Sequence, residues 1–261
     1  MPNATTNPRQ NRLLAALPGP EYRKLLPHLE LVQLDLGETV HESGGKLRYV
    51  LFPTTAIVSL LNVIESGASA EIAVVGNDGI VGVALLMGGE TMPNLAMVQS
   101  AGDAYRLSAP LLRQALTRTG GRRRAVLPPL LLRYTQSLLT QMAQTAICNR
   151  HHTVDQQLCR WLLLSLDRLP SNEIHMTQEL IANMLGVRRE GVTEAAGRLQ
   201  RAALITYSRG RITVLDRPGL EARVCECYEV VRKEFHRLLP EVIPTRAEAL
   251  RRVATINGTP D

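Results

Sequence analysis

The chain has 261 residues, of which 45% are hydrophobic and 21% charged, a composition typical of a globular protein with room for two domains. No apolar run approaches the length of a membrane span, and the polar start lacks a signal-peptide core, so we expect a cytoplasmic chain. The net charge is +6, and all but three of the 30 basic residues are arginine. Arginine forms bidentate contacts with phosphate and guanine, which suits DNA, although a GC-rich genome would give the same excess.

Residues 13–120 have the pattern of a small β-domain. Two short helices, predicted at 13–17 and 21–26, precede short apolar runs that are separated by glycines. The predicted strands cover residues 31–36, 49–52, 57–63, 71–75 and 80–86. Many short strands with turns marked by glycine indicate a barrel, roll or sandwich. A helix is then predicted to start at Ser108, which can cap it.

Residues 121–150 are predicted to link two domains, after a flexible basic connector at 117–124. A long helix is expected from Pro128 to Cys148, and Leu131, Leu138 and Met142 lie on its apolar face. This face is wide enough to pack on the β-domain of the same chain or on a second copy. We favour a second copy as its partner.

Residues 151–217 have the pattern of a winged helix-turn-helix. Two amphipathic helices flank a turn at Gly186, and two short strands after them are predicted to form a hairpin. Helix pairs around a glycine also occur in ordinary helical cores, but the hairpin favours the winged-helix interpretation. The residues predicted to contact DNA are Thr177, Gln178, Arg188, Arg189, Glu190, Thr193 and Glu194 on the helices, and Arg209 and Arg211 on the hairpin.

The charge of this winged segment indicates how many copies of the chain are needed to bind DNA tightly. It carries nine arginines against seven acidic residues, so one copy should bind DNA weakly. A homodimer joined along the linking helix would double the contacts, and we therefore expect one.

Residues 218–240 are predicted to form a last amphipathic helix, followed by a mobile tail at 241–261. Cys225 and Cys227 lie in the helix, and with Cys148, His151 and His152 they could in principle hold a metal ion. Their spacing is not a standard zinc or iron–sulfur pattern, so we predict packing and no metal site. A redox- or metal-responsive regulator using Cys148, Cys225 and Cys227 remains the alternative.

The order of a β-roll, a long helix and a winged helix resembles the Crp/Fnr-type bacterial transcription regulators, relatives of the cyclic-AMP receptor protein. The resemblance spans about residues 13–215 and is carried by Thr177, Ala182, Gly186, Val187, Arg189, Glu190 and Val192. It implies an α+β fold with a cyclic-nucleotide-binding-like β-roll, a homodimer on an inverted-repeat operator in double-stranded DNA, and RNA polymerase as a candidate partner. It also implies that Arg189 and Glu190 read base edges beside Arg188, while Thr177 contacts a phosphate.

Two departures from this family matter. Glu194 stands where a second arginine is common, and a carboxylate accepts from cytosine instead of donating to guanine. In the β-roll, Val83 and the pair Asn94 and Leu95 replace the carboxylate and the cation that hold a cyclic nucleotide. We therefore expect that cyclic AMP is not the effector, identify no cofactor and leave the signal open.

An enzyme built on the β-domain is the competing class of function. That domain has only two histidines, His28 and His41, and no glycine loop that ends in Lys-Ser or Lys-Thr to cradle phosphate. We therefore predict that the chain is not an enzyme.

Overall fold

The computed structural model describes residues 7–117 and 125–239. It combines an N-terminal β-domain, a long linking helix and a C-terminal helical domain with a small sheet, which confirms the predicted α+β class. The basic connector at 118–124 and the predicted tail at 241–261 fall outside the described residues. No helix in the two described ranges is long and apolar enough to cross a membrane.

Two short helices, α1 (Arg12–Ala15) and α2 (Gly19–Leu25), begin the described chain, as predicted. Asn11 fixes them to the β-domain. Its side-chain oxygen accepts from the N–H groups at the start of α1, and its amide donates to the carbonyls of Pro53 and Gly79 at 2.9 and 2.8 Å. A buried amide with all of these partners is satisfied, so this contact adds specificity without an unpaired polar group.

The β-domain is a roll of two antiparallel sheets. One sheet has the order β1-β7-β3 and the other β2-β6-β4-β5. The strands are β1 (Glu30–Leu34), β2 (Thr39–His41), β3 (Tyr49–Pro53), β4 (Ile57–Val63), β5 (Ser69–Val75), β6 (Leu95–Ser100) and β7 (Gly102–Ser108). The core lies between the sheets, where alternate residues such as Phe52, Ile57 and Leu107 are fully buried. Helix α3 (Ala109–Thr117) then begins after Ser108, as predicted.

The strand predicted at 80–86 is wrong. Gly82 has φ +95°, a left-handed conformation that breaks the extended chain, and a 3₁₀ turn at Val83–Leu85 follows it. Only Val81 pairs across, with Leu51. The apolar residues of this segment are buried because they fill the core. Their composition therefore resembles that of a strand, although the segment does not form one.

Helix α4 (Leu127–His151) is the predicted linking helix. Its 25 residues span about 37 Å at 1.5 Å per residue. One side packs on β5 and on the last helix of the same chain. That side includes Leu131 and Leu138, which are only 1% and 2% exposed.

The prediction that Leu131 and Leu138 lie in a dimer seam is therefore corrected. Both side chains are already covered within one chain, and Met142 is partly buried against the same core. The large apolar side chains that α4 leaves exposed are Leu132, Leu139 and Ile147. The sequence pattern predicted one wide apolar face on α4. It did not distinguish the residues that pack within the chain from those that stay exposed.

The C-terminal domain contains four helices and a three-stranded antiparallel sheet of order β8-β10-β9. Its elements are α5 (Val154–Leu166), β8 (Glu173–His175), α6 (Gln178–Leu185), α7 (Arg189–Arg201), β9 (Ile205–Ser208), β10 (Arg211–Val214) and α8 (Arg217–Glu221). Helix α5 starts with a capping box in which Thr153 and Gln156 satisfy each other's backbone N–H groups. The predicted final helix is interrupted at residues 222–225: α8 ends at Glu221, and a separate α9 (Glu226–Leu238) packs along α4.

Candidate nucleic-acid interface

Helices α6 and α7 form the helix-turn-helix, and local sequence sets its geometry. Thr177 caps α6, since its hydroxyl oxygen accepts from the Leu180 N–H at 3.3 Å. Gly186 ends the helix with φ +65°, a left-handed conformation that glycine adopts without a Cβ penalty. Arg188 then occupies the N-cap position of α7.

The two sides of α7 differ sharply. Four apolar residues at helical spacing are buried: Val192, Ala195, Ala196 and Leu199. The opposite side exposes Arg189, Glu190, Thr193 and Glu194, as the sequence predicted. The Thr193 hydroxyl donates to Gln178 Oε1 at 2.7 Å, so the two helices position each other's polar side chains.

The charged groups on α7 are not equally available. Arg198 donates to both carboxylate oxygens of Asp155 on α5, which fixes α7 to the rest of the domain. Glu194 lies 3.6 Å from Arg198 but is 71% exposed. Within residues 7–117 and 125–239, Arg189 and Glu190 form no ion pair or side-chain hydrogen bond, so their polar atoms remain available to a ligand.

The hairpin between β9 and β10 forms the wing. Arg209 and Gly210 both have positive φ, +49° and +77°, as a two-residue type I′ turn requires. Arginine is unusual in this conformation, which favours glycine or asparagine. Arg209 and Arg211 are exposed, and neither has an ion-pair partner among the described residues. A basic side chain kept at a strained turn points to a role outside the fold.

A concave surface of about 350 Å³ lies between the helix-turn-helix and the wing. It brings together Thr177, Gln178, Arg189 and Arg209, four of the predicted DNA contacts. Tyr207 also lines it and was not predicted. Its hydroxyl donates to the Met176 carbonyl at 2.7 Å, and burial raises its pKa to about 12, so the phenol stays neutral. The remaining candidates, Arg188, Glu190, Thr193, Glu194 and Arg211, are exposed around this surface.

The β-roll contains a second cavity, of about 540 Å³. Gly82 and Arg106 both line it, although Arg106 was not predicted to lie there. The Arg106 guanidinium is bound by Glu30 through two hydrogen bonds of 2.6 and 2.7 Å and lies over the Tyr49 ring. Val83 and Asn94, which were predicted to stand in the positions of the carboxylate and the cation that hold a cyclic nucleotide, are both buried.

Comparisons with known proteins found similarity for the DNA-binding domain and for the fold of the chain as a whole. Residues 156–223 match the family of Crp-like helix-turn-helix domains. The fold resembles that of FixK2 from Bradyrhizobium japonicum, with a TM-score of 0.61, 15% identity, and coverage of 76% of this chain and 98% of that one. The C-terminal part of the chain therefore contains a Crp-like helix-turn-helix domain, and the overall fold is similar to that of Crp/Fnr-family regulators.

Two further solved structures share this Crp/Fnr-type fold. One is a CRP-family transcriptional regulator from Thermus thermophilus, with a TM-score of 0.60, 18% identity, and coverage of 74% of this chain and 95% of that one. The other is described as a Crp/Fnr-family regulator from Eubacterium rectale, with a TM-score of 0.59, 18% identity, and coverage of 82% and 98%. A sequence search of the curated proteins gave no match.

The chain has one feature that sequence spacing did not resolve. Cys148, His152, Cys225 and Cys227 come together where α4 ends and α9 begins, with their ligand atoms all within 4.8 Å of one another. The hydrogen bond between Cys148 and Cys225 is the main cause that lowers the pKa of Cys225, while burial raises the pKa of Cys227. His151, the other histidine considered, is not part of this group. The sequence named these residues as a possible metal set but favoured packing, because the ligands come in two pairs, 77 residues apart at Cys148 and Cys225, with no standard spacing.

Proposed function

We propose that the chain is a transcription regulator that binds double-stranded DNA as a homodimer on an inverted repeat. The observation that carries this proposal is the exposed polar side of α7 next to the basic wing. The N-terminal half of such a helix enters the major groove, and a wing beside it reaches the backbone. The match of residues 156–223 to Crp-like helix-turn-helix domains supports the same use of this surface.

Base reading is assigned to Arg189, Glu190 and Glu194. An unpaired arginine can donate to both acceptors on the guanine edge, and a carboxylate can accept from cytosine. Arg209 and Arg211 are assigned to phosphates, since they project from the hairpin and not from the helix that enters the groove. Thr177 and Gln178 start α6 beside the same concave surface and complete the contact.

The dimer is proposed to form along the exposed side of α4. Leu132, Leu139 and Ile147 are 64%, 57% and 46% exposed, and Ala143 continues the row between them. Leu132, Leu139 and Ala143 are separated by seven and four residues, which are spacings of the heptad pattern that aligns two packed helices along one seam. Burying this row against a second copy removes from water the apolar area that one chain leaves uncovered.

Selection of bound duplexes from a random pool by the purified full chain tests the proposal. The expected result is an inverted repeat with half-site centres about 10 base pairs apart, because a two-fold dimer places two α7 helices in successive major grooves. Arg189→Ala should weaken binding to the selected site by about 1–3 kcal/mol and relax one position. Selection of an asymmetric or direct-repeat site would contradict the dimer, and equal losses on selected and scrambled duplexes would contradict base reading by Arg189.

The effector is proposed to be something other than cyclic AMP bound in the family's usual mode. Val83 offers no carboxylate for a ribose, Asn94 offers no cation for a phosphate, and Arg106 is engaged by Glu30. A buried phosphate without a cation carries a desolvation penalty of several kcal/mol. Calorimetry should show no saturable cyclic-AMP binding at micromolar concentrations. Micromolar binding that is lost when Asn94 is changed to Ala would overturn this expectation.

A further inference from the structure

We propose that Cys148, His152, Cys225 and Cys227 bind one Zn²⁺ ion at the junction of the linking helix and the DNA-binding domain. Three thiols and one imidazole are a common donor set of closed, structural zinc sites. All four side chains belong to described residues, and none of them takes part in the DNA-binding surface. The site therefore stands whether or not the proposed function is correct.

The separations between the donor atoms fit a single tetrahedral ion. With Zn–S and Zn–N bonds of about 2.3 and 2.0 Å, two sulfurs lie about 3.8 Å apart and a sulfur and a nitrogen about 3.5 Å. Cys148 Sγ and Cys225 Sγ are 3.6 Å apart, and Cys227 Sγ and His152 Nδ1 are also 3.6 Å apart. The remaining pairs are within 4.8 Å, so side-chain adjustments of about an ångström would complete the site.

The histidine is held in the orientation that a metal ligand needs. His152 Nδ1 faces the thiol of Cys227, while Nε2 lies 3.4 Å from a carboxylate oxygen of Glu226. Metal-bound histidines usually donate their second ring N–H to a carboxylate, which fixes the tautomer and strengthens the ligand. Glu226 sits between the two cysteine ligands in the sequence, so one short segment supplies two sulfurs and the orienting group.

The charge of the bound site is balanced by a buried arginine. Three thiolates and a neutral imidazole around Zn²⁺ leave one net negative charge. Arg160 on α5 is 4% exposed, and its positive charge acts on the thiols of both Cys148 and Cys227. Its Nη1 donates to Thr145, but its Nε has no hydrogen-bond partner in the part of the chain that the structure describes. An anionic group near this partly unpaired guanidinium would lower the cost of burying it, and Glu71 is a further acidic group on which its charge acts.

The position of the site suggests what the ion does. Cys148 and His152 end α4, Cys225 and Cys227 begin α9, and α5 starts at Val154 immediately after His152. A bound ion would join the end of the linking helix to α9 and hold the short segment that leads into the DNA-binding domain. Zinc would then set the orientation of α6 and α7 relative to α4, and this regulatory consequence rests on the proposed function.

Metal content of the full chain, purified under reducing conditions, is the first test. We expect about one zinc per chain in the wild type and almost none in Cys227→Ser and in His152→Ala. Cys159→Ser is the matched control, because Cys159 is equally buried but lies outside the cluster, and it should retain the metal. His152→Cys should also retain it, since four thiolates are another common zinc donor set.

Cobalt substitution keeps the proposal testable if a cysteine variant fails to fold. The wild-type chain, stripped with a chelator and titrated with Co²⁺ alone, should show visible bands of tetrahedral cobalt and thiolate-to-metal absorption that saturate at one equivalent. Zn²⁺ should remove both. Glu226→Gln should weaken Zn²⁺ binding by about 10- to 100-fold through the orientation of His152.

Three results would overturn the site. The first is the absence of thiolate-to-cobalt absorption in the reduced wild type. The second is a loss of zinc in Cys159→Ser that is as complete as in Cys227→Ser. The third is a Cys148–Cys225 disulfide in a chain that binds no metal when it is reduced. None of these measurements uses DNA. Failure of the metal site is therefore distinguishable from failure of the proposed operator binding.

Discussion

The arginines at the two candidate sites, one in the β-roll and one in the DNA-binding half, have different surroundings. In the β-roll, Arg106 is bound by Glu30, and Arg113 shares Glu90 with Lys46. In the DNA-binding half, Arg189 and Arg209 are exposed and have no acidic partner among the described residues. The formal charge of each arginine is the same, so the difference lies in whether the fold itself supplies the counter-charge.

This contrast shows why overall charge was a weak guide to the site. The net charge of +6 counts paired and unpaired arginines alike. Paired surface charges contribute little to attraction at a distance, because each pair is close to neutral and salt screens the rest. An arginine without an acidic partner keeps its charge available to a phosphate backbone, and Arg189 on α7 and Arg209 on the wing are two such residues on one surface.

The largest expected effect separates the two sides of α4. Leu138→Glu places a carboxylate at a position that is 2% exposed, so it should lower the free energy of unfolding by about 3 kcal/mol or more. Leu139→Glu, one residue further on, changes a side chain that is 57% exposed and should leave the folding of one chain nearly unchanged. Chemical denaturation of both variants measures the difference.

The same pair of variants tests the dimer seam. Leu139→Glu should dissociate the proposed dimer, because it introduces like charges opposite each other at the seam. Light scattering on the folded variant gives the answer. If the wild type is already monomeric, or if the Leu139→Glu variant stays dimeric, then the dimer interface does not lie on this side of α4.

A buried carboxyl in the β-roll gives a pH dependence. Burial raises the pKa of Glu71 from 4.5 to about 7, although a hydrogen bond with Ser59 opposes the shift. The folded state therefore binds this proton more tightly than the unfolded state. The resulting stability is fully present below pH 4.5 and is lost as the pH rises to about 7.

Glu71→Gln isolates this contribution, since an amide has a similar shape and does not titrate in this range. Between pH 5 and pH 8 the wild type should lose on the order of 3 kcal/mol of unfolding free energy relative to the variant, at 1.36 kcal/mol per pKa unit. Parallel pH profiles for the two proteins would show that Glu71 has an ordinary pKa.

A smaller effect is expected at the wing. Arg209→Asn keeps a residue that tolerates the left-handed conformation of the turn and removes only the charge. It should weaken binding to all DNA sequences alike and reduce the steepness of the salt dependence by about one unit. Titrations at two salt concentrations measure this slope. A loss confined to the selected operator would mean that Arg209 reads bases and does not anchor a phosphate.

The helix-turn-helix could be predicted because its signals are local. Apolar spacing defines the buried side of α7, Gly186 supplies the turn, and the hairpin follows directly in the sequence. The same holds for the capping box that starts α5. In each case the residues that determine the structure lie within about one or two helical turns, so periodicity is sufficient to detect them.

The features that were missed depend on contacts between distant residues. The 80–86 segment is apolar because of burial, and its left-handed Gly82 stops it from forming a strand. Leu138 and Leu139 belong to one apolar face in the sequence, and only the packing of β5 and α9 distinguishes them. The cysteines and His152 were named as a possible metal set, but their proximity depends on α9 folding back along α4, which no local spacing reveals.

The most direct test of the central contrast removes one positive charge from each half. Arg189→Ala and Arg106→Ala change the net charge equally, and DNA affinity is measured for both on the selected operator at one salt concentration. Arg189→Ala should lose about 1–3 kcal/mol of DNA-binding free energy. Arg106→Ala should bind DNA nearly as tightly as the wild type, because the charge of Arg106 is already neutralised by Glu30. Equal losses in the two variants would contradict the account, since they would mean that DNA responds to total charge and not to the unpaired arginines of α7 and the wing.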